Sequence, residues 1–291
     1  MNKRLIISII IIFISISILI PGYFFIVDIE SKIPQTIDDE LKIETSTFMS
    51  RKIFTISPKK DMSQNVILYF HGGAYMAEAT HKHWKFVQKL SKDTKAKIIV
   101  PDYPLTPRYT YKSVLNITDN FYSKLLKTVK TENLTIMGDS AGGGLALGLE
   151  EKLANDNNPL PKQTILISPW LDTTMSNPKI DQVQPYDKDL NKFKLYIAGI
   201  FYTRGAAENE KYFANPINGD LSKLNNLIIY TGTNDILNPD VHLLQEKASK
   251  VNVDVQIREY KEAQHIWIIN YNDSLANRAY EDLLNDYKLR Q

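Results

Sequence analysis

Cysteine is absent from all 291 residues. That excludes disulfides, thiolate metal sites, a cysteine nucleophile and a lipid-modified N-terminal cysteine. It leaves the compartment open, because disulfide-free proteins occur in the cytosol and outside bacterial cells alike. A surplus of either charge is missing too. The 35 basic and 33 acidic residues leave a net +2, whereas nucleic acid calls for a concentrated basic face. Short basic pairs such as Lys59-Lys60 read as solvated surface. Internal repeats and low-complexity segments are also lacking, apart from an isoleucine-rich start.

One long apolar run is present. Lys3 and Arg4 precede residues 5–20, Pro21-Gly22 follow, and residues 23–27 resume the apolar character with no charge in the interval. As a helix, residues 5–27 would span roughly 34 Å at about 1.5 Å per residue, close to the thickness of a bilayer's hydrocarbon core. A cleaved signal peptide would share the charged start, but small residues in an Ala-x-Ala pattern do not follow. The many β-branched isoleucines suit lipid better than an isolated helix in water. Residues 1–27 are therefore expected to be a transmembrane anchor, with a secreted form after signal cleavage as the alternative. The positive residues stay inside and the bulk of the chain, 28–291, faces outward.

Past the linker, short apolar runs alternate with helical spacing. Strands are expected at 42–48, 51–57, 66–70, 97–100, 134–137, 164–167, 227–230 and 253–260, and helices at 84–90, 114–129, 141–153, 241–251 and 275–289. That alternation predicts an α/β fold with a mostly parallel sheet covered on both faces. Residues 178–212 break the rhythm with Tyr186, Phe193, Tyr196, Phe201 and Tyr202. They are expected to form helices outside the sheet, a cap over the strand ends together with elements around 28–50.

Gly138-Asp139-Ser140-Ala141-Gly142 lies between the predicted strand 134–137 and a helix. A serine on such a strand-to-helix turn can be a nucleophile. The turn needs glycines because side chains there would collide, the helix start is electropositive, and the Ala141 N–H can donate to a developing oxyanion. His71-Gly72-Gly73-Ala74 follows strand 66–70 and offers further backbone donors, expected from Gly72 and Gly73 and less surely from Ala74. His71 precedes the serine and reads as structural.

In the strand–turn–helix architecture that this serine suggests, the expected chain order is serine, then acid, then histidine. Only His242 and His265 follow Ser140. His242 falls inside a helical stretch, so His265, in a loop after strand 253–260, is the expected base. Asp235, just past strand 227–230, is the expected acid, while Asp240 reads as a helix cap. His81 and His83 lack a third ligand nearby and read as surface histidines rather than a metal pair. Asn116 and Asn133 match the glycosylation pattern, Asn133 against a predicted strand.

These residues together carry a resemblance. His71-Gly-Gly-Ala-Tyr75, Asp102-Tyr-Pro-Leu-Thr-Pro107, Gly138-Asp-Ser-Ala-Gly-Gly143, Ser168-Pro-Trp-Leu-Asp172, Gly232-Thr-Asn-Asp-Ile-Leu237 and His265 stand in the order of the hormone-sensitive-lipase-like branch of the α/β-hydrolases. The chain resembles that branch from about residue 66 to its end. The resemblance implies a mixed sheet of about eight strands, a helical cap, and hydrolysis of carboxylic esters of short or medium acyl length. It implies Ser140, Asp235 and His265 as the triad, Gly72, Gly73 and Ala141 as the oxyanion donors, and no metal or organic cofactor. Two departures stand out: Ala74 replaces a frequent third glycine, and the N-terminal apolar run lies outside the resemblance. A small-molecule ester, a membrane contact through residues 1–27, and no nucleic acid are the expected partners. An anchored deacetylase of envelope glycans and a non-catalytic binding protein on the same scaffold are the alternatives.

Overall fold

The computed structural model describes residues 31–32, 37–206, 212–224, 226–270 and 273–289. The proposed anchor, residues 1–27, lies outside the described residues. Among the described residues no helix is long and apolar enough to cross a membrane.

Eight strands form one sheet: β1 (Leu41–Phe48), β2 (Arg51–Pro58), β3 (Val66–Phe70), β4 (Lys97–Pro101), β5 (Leu134–Asp139), β6 (Gln163–Ile167), β7 (Leu227–Gly232) and β8 (Val255–Tyr260), in the order β1-β2-β4-β3-β5-β6-β7-β8. The pairs β1·β2 and β2·β4 are antiparallel and every later pair is parallel. The stretch 28–50, expected among the cap elements, belongs to the sheet from Leu41 onward. Leu41 to Phe48 pair with Pro58 to Arg51 residue for residue. Met49 and Ser50, at φ 46° and 63°, close the hairpin in the left-handed region that such tight turns demand.

The central strands are buried on both faces, and their side chains divide with a period of two. Val66, Leu68 and Phe70 of β3 and Leu134 and Ile136 of β5 join one core. Ile67, Tyr69 and Met137 join the other. On the first face lie α2 (Tyr111–Leu125), α3 (Ala141–Asn155) and α6 (Asn238–Lys250), through residues such as Phe121, Leu145, Leu149 and Leu244. On the second lie α1 (His81–Thr94) and α7 (Ser274–Leu289), through Trp84, Phe86, Leu90, Tyr280 and Leu283. Burying each such side chain contributes about 1.5–3 kcal/mol, which is why runs of only five or six apolar residues suffice to fix these strands.

The aromatic stretch leaves the sheet between β6 and β7. Its described part contains α4 (Ile180–Val183) and α5 (Lys192–Tyr202). α5 packs inward through Leu195, Ala198, Gly199 and Tyr202. The Tyr202 ring stacks on Tyr75 at 3.6 Å between centroids, which ties the cap helix to the loop that follows β3.

Candidate active site

β5 ends at Asp139 and α3 begins at Ala141, so Ser140 occupies the turn between them at φ 51°, ψ −121°. A non-glycine residue tolerates that region only where its surroundings impose it. Here the Ser140 N–H donates to the Ile167 carbonyl at 2.9 Å, and its own carbonyl accepts from Trp170 N–H at 2.8 Å and Gly144 N–H at 3.1 Å. The turn is tight enough that a Cβ on Gly142 would stand 2.0 Å from the Phe70 carbonyl oxygen. The Ser140 side chain opens onto a cavity of about 470 Å³ whose wall is mostly apolar and includes Gly73, Ala74, Leu190, Leu195 and His265.

His265 reaches this cavity from the turn after β8, and Asp235 stands behind it from the turn after β7. His265 Nδ1 lies 2.9 Å from Asp235 Oδ2, while Asp235 Oδ1 accepts the Leu237 N–H at 2.9 Å. Both residues are buried. An ionised Asp235 accepts from a protonated Nδ1, which leaves the Nε2 lone pair for the serine. Burial works against the imidazolium, but the charge and hydrogen bond of Asp235, aided by Asp187 and Asp139, outweigh it, so the His265 pKa is raised above its ordinary 6.5. The base loop has a second support. Ile266, at φ 45°, donates its N–H to Ser168 Oγ at 3.1 Å.

The oxyanion loop differs from the expectation in one respect. The Gly72 N–H is already donated to Asp139 Oδ1 at 3.0 Å, so it is not available to a substrate. The next two residues are turned out of the regular pattern, Gly73 at φ 124° and Ala74 at φ 53°. Among the described residues, no group accepts from the N–H of Gly73, Ala74 or Ala141. Of the expected donors, Gly72 is thus engaged, while the N–H groups of Gly73 and Ala141, and of Ala74 one residue further along the loop, are left without a partner among the described residues.

Asp139 is the hub that sequence reasoning missed. Its Oδ1 also accepts from Tyr69 Oη at 2.5 Å, and its Oδ2 faces His83 Nε2 at 3.1 Å. Burial favours a neutral Asp139, but His83 first, then Tyr69 and His71, hold its pKa below the ordinary 3.8. His83 is thus a buried partner and not the surface residue expected. Its Nδ1 accepts the Thr80 N–H at 3.0 Å, which fixes the proton on Nε2, where it points at Asp139. The signal was available in the periodicity: His83 shares a helix face with Val87 and Leu90. His71 is structural, stacked on Tyr103 at 4.5 Å, with burial pushing its pKa down to about 4. His81 is exposed, and His242 pairs with Glu259 at 2.6 Å on the surface. Asp240 does not cap α6: the cap position is Leu237, and Asp240 lies buried in the helix's first turn, where it accepts from Asn177 at 2.8 Å. Among the described residues no group of three or more His, Asp or Glu could hold a metal ion.

The excursion between β6 and β7 is fastened to the loops that carry Asp235 and His265. Asp187 Oδ2 accepts the Ile236 N–H at 2.8 Å, beside Asp235. Gln264, beside His265, accepts the Lys188 N–H at 2.9 Å and donates to the Tyr186 carbonyl at 3.2 Å.

A family model described as alpha/beta hydrolase fold matches residues 67–269. An esterase of Acinetobacter venetianus is 29% identical over 67% of this chain and 65% of its own length. An acetyl-hydrolase of Streptomyces hygroscopicus is 27% identical over 69% of this chain and 67% of its own. The match to the first thus spans just under two thirds of that relative. Among solved structures, a Staphylococcus aureus protein described as a candidate esterase superposes with a TM-score of 0.82 at 25% identity, covering 88% of this chain and 86% of that one.

Proposed function

The chain belongs to the α/β-hydrolase family, and on that premise we propose that it hydrolyses carboxylic esters of short to medium acyl length through an acyl-enzyme on Ser140. The observation that carries the reading is the 2.9 Å contact of Asp235 with His265, at the same cavity as a serine held in a forced turn. Ser140 Oγ attacks the ester carbonyl carbon and its proton passes to His265 Nε2. The carbonyl electron pair moves onto oxygen, where the N–H groups of Gly73, Ala74 and Ala141 receive it; each such donor contributes on the order of a hundredfold or more in rate. The tetrahedral species expels the alcohol oxygen, which takes the proton from His265. Water then attacks the acyl-enzyme by the same steps in reverse roles. Asp235 stabilises the imidazolium and holds its tautomer. The stretch 178–212 acts as a cap, supplying Leu190 and Leu195 to the acyl pocket.

The charged start and apolar run of residues 1–27 support a membrane-anchored form with the catalytic domain outside. In that setting the acetylated glycans of a cell envelope are a second substrate class, favoured by a relative whose name is acetyl-hydrolase.

The test is turnover of p-nitrophenyl esters of increasing acyl length by the full chain in mild detergent, beside Ser140→Ala. The wild type should turn over the shorter esters and the variant should lose at least about a thousandfold. A folded Ser140→Ala protein that keeps a substantial fraction of the activity would overturn the assignment.

A further inference from the structure

The cap helix α5 is apolar on two opposite sides. At about 100° per residue, Leu195, Ala198, Gly199 and Tyr202 cluster on the side that packs onto the domain, and all four are buried. On the opposite side Phe193, Tyr196, Ile197 and Ile200 fall within about 60° of one another's mean direction, and they are 68%, 43%, 36% and 46% exposed. Tyr186, 62% exposed, precedes them in the same excursion. Among the described residues ten large hydrophobic side chains stand out as exposed, and five of them lie between Tyr186 and Ile200. That is a patch rather than the scatter of single apolar residues found on any surface, and such patches mark interaction sites.

Three observations identify what the patch meets. First, Lys192 and Lys194 lie about 100° to either side of Phe193 on the helix, Lys194 exposed and Lys192 half-buried against Asp181 at 2.8 Å. An apolar stripe flanked by lysine stems is the arrangement of a helix lying in a headgroup layer, and here the exposed Lys194 is the flanking ammonium placed to reach anionic lipid, since Lys192 is engaged by Asp181. Second, the stripe belongs to the helix that walls the active-site cavity through Leu195, and the exposed Lys82 lines the same cavity from α1. Third, Ser31, four residues after the apolar run ends in the sequence, is held beside the cavity wall. Ser31 donates its N–H to Asp102 at 2.8 Å and accepts the Ala79 N–H at 3.3 Å, one residue before Thr80 of the cavity wall. From Val27 to Ser31 the chain reaches at most about 14–15 Å. A membrane holding the run therefore lies within that reach of Ser31, which itself bonds the residue next to the cavity wall.

We propose that the outer stripe of α5 docks on an anionic phospholipid bilayer and holds the mouth of the Ser140 cavity against it, so that the site is presented to acyl esters residing in or at the lipid surface. The docking surface stands independently of the ester reading, because its evidence is the exposed stripe and the attachment of the chain rather than the catalytic groups.

The absence of cysteine allows a direct test in the full chain. Ile197→Cys and, as the control, Val251→Cys at the end of α6 (42% exposed) each take one environment-sensitive fluorophore. Each labelled protein is mixed with vesicles of phosphatidylcholine and phosphatidylglycerol that carry a nitroxide-labelled lipid. Circular dichroism and the thermal midpoint confirm that both variants are folded. The expected result is co-flotation with the vesicles and on the order of a twofold loss of emission at position 197, with no loss at 251. Vesicles lacking phosphatidylglycerol should give clearly weaker quenching at 197. The proposal is overturned by protein that does not float, by floating protein whose 197 label is unquenched, or by equal quenching at both positions. A blue-shifted but unquenched label would also overturn it, in favour of cover by residues 5–27 or by a second copy of the chain. Equal quenching without the anionic lipid would overturn the choice of an anionic surface.

Discussion

Replacing Asp139 with asparagine changes one atom next to the nucleophile and should cost far more than its size suggests. The carboxylate accepts from Tyr69 Oη, Gly72 N–H and His83 Nε2 at 2.5, 3.0 and 3.1 Å, and it is fully buried. His83 cannot respond by moving its proton, because its Nδ1 is occupied by the Thr80 N–H. An asparagine amide therefore sets donor against donor. If its nitrogen faces His83, two N–H groups collide; if it flips, the nitrogen faces Gly72 and Tyr69. Either way a buried donor goes unsatisfied and a charge-assisted contact is lost, a combination that costs about 3–5 kcal/mol. For a domain of this size the midpoint of thermal unfolding should fall by roughly 10 °C. Because Gly72 precedes the Gly73 and Ala74 amides, its displacement should also lower kcat by on the order of a hundredfold. The wild-type Asp139 pKa is depressed, so its contribution is complete above the ordinary 3.8 and fades as the pH falls through the depressed folded value; the variant should lack that acid-range loss. A chemical-denaturation series on both proteins, read beside their turnover, measures all of this. Asp139→Asn within about 0.5 kcal/mol of the wild type, below the usual cost of a buried unsatisfied group, with unchanged kcat, would refute the reasoning.

Three further outcomes follow from the same geometry. His265 must be neutral to act as base and its pKa is raised, so the acid limb of kcat/KM should lie above pH 6.5. Asp187 contributes to that raise, and Asp187→Asn should move the limb to lower pH; a limb that stays put would remove Asp187 from the electrostatics of the site. Ser168→Ala leaves the Ile266 N–H without its acceptor and should lower stability by about 1–3 kcal/mol. Since Ile266 adjoins His265, kcat should fall about tenfold or more while KM changes little, which steady-state kinetics would separate.

Much of this site was legible in the sequence because its parts obey local rules. The apolar run of β5, broken by Gly138, Ser140 and Gly142, could not continue as a strand. Asp235 and His265 each follow directly on a strand end that comes after the serine, in the order acid then base. The features that escaped depend on contacts far apart in the chain. Nothing local to Asp139 tells that its side chain turns back to Gly72, 67 positions earlier, and engages an N–H that the sequence alone leaves open to a substrate. His83 stands two residues from His81 and so suggests a surface pair, although its spacing from Val87 and Leu90 puts it on the inner face of α1. The clasp of Asp187 and Gln264 spans 49 and 76 positions. α5 was read as cap on its aromatic content, but which of its apolar residues face outward emerges only once the inner face is known.

The most direct test of the central claim is covalent. A serine-directed fluorophosphonate should form one adduct on the full chain, located on Ser140 by peptide mass spectrometry. It should compete with ester substrates, vanish in Ser140→Ala and form much more slowly in His265→Ala. Folded protein that takes no label, or that loses activity through an adduct on another serine, would contradict the assignment of Ser140 as the nucleophile.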